Sequence, residues 1–182
     1  MTWTRLAVLV MTVGSASCTG VTSSHPVGEA AMQLQAQEWE GAWLDADGGV
    51  LLVNVMDGAA GELRVTWVEE QDAGHRLDES RVYARVSSKW VFGSIETERE
   101  SASAPSEYLW GRMVMREDVL LVWRPAAEKF QQMVEAGVLP GEASVGNVRL
   151  GRLEREHMLL ITSEEGGVLF DWDDPIVFRR LK

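Results

Sequence analysis

Asp171, Asp173 and Asp174 place three carboxylates within four residues beside Trp172, and His157 lies on the segment before them. Carboxylates at that density can hold a cation or share acid and base duties, and a histidine titrating near neutrality can relay the proton. A hydrolase or isomerase built on the 171–174 cluster with His157 is therefore one reading. Its spacing matches no established catalytic pattern, and Asp173-Asp174-Pro175 equally spells a turn. Asp45-Ala46-Asp47-Gly48 opens like a calcium loop, yet the further ligands and the closing Glu are missing, so it reads as a hairpin turn. His25, His75 and His157 are scattered. There is no Gly-x-Ser-x-Gly elbow, no His-Glu-x-x-His, no Cys-x-x-Cys and no glycine-rich phosphate loop. The sequence assigns no catalytic residue, no metal ligand and no cofactor.

Tryptophan is the other chemically distinctive residue. Seven of the eight fall between Trp39 and Trp172, against two tyrosines in the whole chain. Rings at this density either fill a small interior or line a cavity for an apolar or sugar-like ligand. Trp67, Trp90, Trp110 and Trp123, with Phe130 on a covering helix, are the candidate lining residues.

The single cysteine, Cys18, follows one positive charge at Arg5, an apolar run from Leu6 to Val13 and the small residues Gly14 to Ser17. Spanning a bilayer takes about 20 apolar residues, so this run suits a cleaved export signal over residues 1–17. Ser15-Ala16-Ser17-Cys18 resembles the lipid-attachment site of bacterial lipoproteins, with Ser15 where a larger aliphatic residue is usual. The resemblance implies acylation of Cys18 by chains such as palmitate and membrane attachment through that lipid. Thr19 stands where Asp would mark inner-membrane retention, which implies the outer membrane, facing the periplasm. Plain secretory cleavage before Cys18 is the alternative, but it would leave an odd thiol in an oxidising compartment.

Removing residues 1–17 takes away Arg5 alone and leaves 16 basic against 28 acidic residues, a balance of −12. Such a surface repels phosphate backbones, so nucleic acid is not an expected partner. Residues 18–37 are rich in Ser, Thr, Gly, Ala and Gln and read as a lipidated cysteine with a flexible tether, His25 included. Residues 38–182 then form one domain, long enough for a single core.

The domain is expected to be mainly β. Residues 39–46, 49–57, 62–70, 77–87, 89–98, 107–115 and 118–124 are rich in Val, Leu, Trp and Tyr, with turn residues between them. Alternation is clearest where Leu63, Val65 and Trp67 share one face and Glu62, Arg64 and Thr66 the other. An antiparallel up-and-down meander of this length is best stabilised by closing into a small barrel. Helical spacing then predicts helices over 126–136 and about 153–163, before a final strand at 176–181.

Gly41-Ala42-Trp43 resembles the Gly-x-Trp motif that opens lipocalin and other calycin barrels. The resemblance implies that Trp43 closes one end of an eight-stranded barrel under a basic residue after the last strand, where Arg179 and Arg180 stand. It also implies a non-catalytic domain that binds a small apolar molecule, or an envelope protein, in or on the barrel. A purely structural attachment differs only in lacking a cavity.

Overall fold

The computed structural model describes residues 20–71, 74–97, 105–163 and 169–182. Arg5, the apolar run and Cys18 lie outside the described residues, as does the side chain of His75. The chain opens with β1 (Gly20–Ser23), β2 (Ala30–Ala31) and α1 (Ala36–Trp39). Seven strands follow: β3 (Gly41–Leu44), β4 (Val50–Asp57), β5 (Glu62–Gln71), β6 (Gly74–Ser87), β7 (Trp90–Glu96), β8 (Tyr108–Arg116) and β9 (Val119–Trp123). Then come α2 (Ala127–Glu135), β10 (Gly141–Ser144), β11 (Asn147–Leu150), α3 (Arg155–Ser163) and β12 (Ile176–Arg180).

From β3 to β9 each strand pairs antiparallel with the next, and β12 fits between β3 and β9. The ring closes on eight antiparallel strands, a mainly β barrel consistent with a lipocalin-like fold. Local chemistry sets the corners. Asp45 Oδ1 accepts the amides of Asp47 at 2.9 Å and Gly49 at 2.7 Å, a hairpin turn that uses the carboxylate internally. Asp57 does the same for Ala59 and Ala60 at 2.9 Å. Gly61 then takes φ +70, and a Cβ there would lie 2.3 Å from the Ala84 carbonyl oxygen, so only glycine fits the turn.

Side-chain alternation builds two apolar bodies. Leu63, Val65, Leu51, Val53 and Val82 point into the barrel and are at most 6% exposed, while Arg64 is exposed outside. On β7 the opposite face is buried too, with Trp90, Phe92 and Ser94 covered. The cover is the excursion between β9 and β12, whose α2, β11 and α3 lay Phe130, Val148, Leu150, Met158 and Ile161 against Trp90, Phe92 and Trp110.

The expected tether over 18–37 is not one from Gly20 onward. β1 pairs parallel with β11 and antiparallel with the start of β8, and β2 pairs with β6. Val21 and Val27 are buried in the outer apolar body and Leu34 in the barrel. Arg85 ties the connection down, donating to the carbonyls of Gly28 at 3.0 Å and Glu29 at 3.2 Å. A few apolar residues and a partner strand suffice to order a segment whose composition alone would not fold. His25 is exposed and meets the Ser24 hydroxyl at 2.9 Å.

Candidate functional site

The barrel interior is a cavity of about 600 Å³. Its size falls within the roughly 300–1,000 Å³ typical of small-molecule sites. One end is shut. Trp43 is 1% exposed and donates its indole N–H to the Trp39 carbonyl at 3.1 Å, which fixes α1 across the opening. Arg180 lies with its guanidinium carbon 4.8 Å from the centre of the Trp43 ring and donates to the Gln37 carbonyl at 2.9 Å. Register makes the contact, since Arg180 is paired with Trp43 across β12 and β3. Arg179, one residue earlier on the alternating strand, is exposed. Lys182 adds an ion pair of 2.9 Å to Asp118 on the β8–β9 turn. That hydrogen bond, with the charges of Lys182 and Arg180, holds the Asp118 carboxyl below its ordinary range.

The other end is rimmed by Asp45, Leu109, Arg124, Asp171 and Ile176. Leu109 is 46% exposed and Ile176 38%, unusual for aliphatic side chains bordering an apolar cavity and expected for those at its mouth. The cavity also reaches Gly20, Val21, Pro125 and Ala127, where β8 passes from pairing with β1 to pairing with β9. Gly111 allows this transition, because a Cβ on it would sit 2.6 Å from the Trp123 carbonyl oxygen.

The structure divides the five candidate lining residues. Trp67 borders the cavity, packed at 5.8 Å between ring centres against Phe178. Trp110 borders it near Pro125 while stacking edge-on with Phe130 at 5.4 Å. Trp90, Trp123 and Phe130 do not line it. Trp90 and Phe130 lie in the outer apolar body, and Trp123 packs against that body from its edge. There Arg112 lies over Trp90, Trp172 and Trp123 at 3.9, 4.7 and 5.7 Å. Alternation predicts which rings share a face, but not which face the later helices cover. The lining is supplied mainly by aliphatic residues that composition did not single out, such as Ile95, Leu120 and Val122.

The carboxylate and histidine reading is not assembled. His157 Nδ1 accepts the Glu154 amide at 2.9 Å, and the Glu156 carboxylate lies 3.9 Å from its Nε2. Asp174 is held by Arg124 at 2.6 Å, and the Asp171 carbonyl caps the turn by accepting the Asp174 amide. No hydrogen bond or ion pair links His157 to the 171–174 cluster among the described residues. No group of three metal-ligating side chains converges among them either. A second cleft of about 300 Å³ gathers Glu29, Arg85, Arg152, Glu154 and Arg155; there Arg152 pairs with Glu154 at 3.5 Å and Arg155 with Glu29 at 3.8 Å, while Arg85 is spent on the carbonyls of Gly28 and Glu29.

No described helix is long and apolar enough to cross a membrane. Comparison with known proteins finds no matching family model, no matching curated protein and no matching solved structure.

Proposed function

We propose that this chain is a lipid-anchored bacterial envelope lipoprotein whose barrel binds a small apolar molecule without transforming it. The observation that carries the reading is the apolar cavity of about 600 Å³, shut by Trp43 and Arg180 at one end and rimmed by exposed side chains at the other. A filled interior would have favoured the purely structural role, and convergence of His157 with the 171–174 carboxylates would have favoured a hydrolase or isomerase. An envelope protein seated on the exposed rim is the second occupant this reading allows.

Lipid attachment at Cys18 supports the same picture. Gly20 borders the cavity, and two residues extend at most about 7 Å. A lipid on Cys18 would hold the mouth beside the membrane, where apolar molecules are concentrated, with the outer membrane facing the periplasm as the expected location. No cofactor or nucleic acid enters this reading.

The deciding measurement is saturable binding of an uncharged apolar fluorophore by the full-length Cys18→Ser chain, read as quenching of tryptophan emission, since Trp39, Trp43 and Trp67 border the cavity. Emission indifferent to every probe would leave the structural role. Intact mass of the wild-type chain should show acylation on Cys18, and a free thiol there would end the lipoprotein assignment while leaving the cavity untouched.

A further inference from the structure

The cavity is lined by apolar side chains and glycines, and among the described residues its wall carries no Ser, Thr, Asn, Gln, His or Tyr. At the closed end, the Trp43 N–H is already given to the Trp39 carbonyl. A polar head carried into the barrel would lose its hydration with no side chain to replace it. An amphiphile therefore enters tail first and leaves its head at the mouth.

Charge at the mouth decides what that head can be. The charged side chains bordering the cavity are Asp45, Arg124 and Asp171, all on the rim. Arg124 is answered by Asp174 at 2.6 Å, which neutralises the one cation. Asp45 gives Oδ1 to the amides of Asp47 and Gly49, neutral donors that leave its charge in place. The Asp171 carboxylate is exposed, while its main chain is held by the Arg124 carbonyl and the Asp174 amide. Among the described residues no cation pairs with either carboxylate. They reach the rim from neighbouring strands, Asp45 from the end of β3 and Asp171 from the approach to β12. With Asp174, three carboxylates meet one guanidinium at the opening, and the chain's net charge of −11 has the same sign. Such a field draws a cation to the mouth and repels an anion.

Resting on the reading of the lumen as a binding site, we infer that its ligand is a cationic amphiphile, an amine or quaternary ammonium on an alkyl chain. The tail fills the barrel, and the ammonium stays at the rim beside Asp45 and Asp171. The corresponding carboxylate is disfavoured at the same place.

Four probes separate tail from head when they displace a neutral fluorophore from the full-length Cys18→Ser chain at neutral pH, below micelle-forming concentrations. Decylammonium carries the cation, decanoate the anion and decanol neither, while methylammonium is the cation without a tail. Decylammonium should bind about tenfold more tightly than decanoate, a gap that added salt shrinks, and methylammonium should displace nothing. Two rim substitutions should move that gap in opposite directions. Asp171→Asn should weaken decylammonium about threefold, whereas Arg124→Gln frees Asp174 and should weaken decanoate by about the same factor. Decanol should bind both variants as it binds the parent, which shows that the lumen is intact in each. Decanoate binding as tightly as decylammonium, displacement by methylammonium, or both substitutions shifting the gap the same way would overturn the inference. Failure of decylammonium, decanoate and decanol alike would instead remove the binding reading beneath it.

Discussion

The same two strands, β7 and β8, carry two apolar bodies on opposite faces, and the two are built differently. Outside, Trp90, Phe92, Trp110, Phe130 and Phe170 interlock with ring centres 5.4 to 6.4 Å apart, and Phe92 and Phe130 are 0% exposed. Inside, Ala84, Gly93 and Gly111 stand in register across β6, β7 and β8, and a cavity remains. Large rings fill space where a second layer comes down on the sheet. Small and aliphatic residues leave space where the only opposing wall is the far side of the barrel. The outer body holds the fold, and the inner one is free to serve a ligand.

That division can be broken most severely at Phe130. Phe130→Asp removes a fully buried ring and strands a carboxylate among aromatic rings, so loss above about 5 kcal/mol is expected. Circular dichroism should find the variant unfolded at neutral pH; a folded Phe130→Asp protein would mean that the outer body is dispensable.

The closed end comes next. Trp43→Ala should lose about 3–5 kcal/mol in urea unfolding. Arg180→Gln should lose about 0.5–2 kcal/mol, chiefly the cation–ring attraction. Because the two side chains touch, the double variant should fall short of the sum. Additive losses would show that the guanidinium works elsewhere.

The lumen should respond in the reverse sense. Val122→Phe enlarges a lining residue that faces open volume, so stability should change by less than about 1.5 kcal/mol, while saturable uptake of an apolar fluorophore is lost. A large stability cost with binding intact would erase the contrast between the two bodies.

Smallest is the acid response at the Asp118 clasp. Lys182 and Arg180 depress the Asp118 carboxyl, so its contribution is present above the ordinary aspartate value, about 3.9, and disappears as pH falls through the lowered one. Asp118→Asn should therefore be slightly less stable than the parent at pH 7, with the difference vanishing in strong acid. A difference constant across that range would assign the effect to something other than charge.

All eight barrel strands were legible, because alternation and turn residues mark each one locally: Asp45 and Asp57 close their own hairpins within a few residues. So were α2 and α3, whose apolar spacing is helical. β1 was not, since Gly20 to Ser23 owe their order to Asn147 through Leu150, a partner that nothing nearby in sequence announces. The β10–β11 hairpin was missed for its Gly-Glu-Ala-Ser strand, which carries little β propensity. The site was half legible. Trp43 and Arg180 are tied by a motif and a register, whereas Trp90 and Trp123 belong to strands with apolar residues on both faces. Gly93 and Gly111, small residues inside long apolar strands, were the signal that the opposite face to Trp90 and Trp110 encloses space.

The position of β12 between β3 and β9 also sets an order of events. A chain emerging from its N-terminus can align β3 through β9 as successive hairpins, but the seam stays open until β12 arrives. During that interval two strand edges and the apolar lumen face solvent together, the arrangement that most invites association with another chain. The final strand is thus the latch of the molecule. Removing Ile176–Arg180 is expected to yield an aggregating sheet, not a slightly weaker barrel.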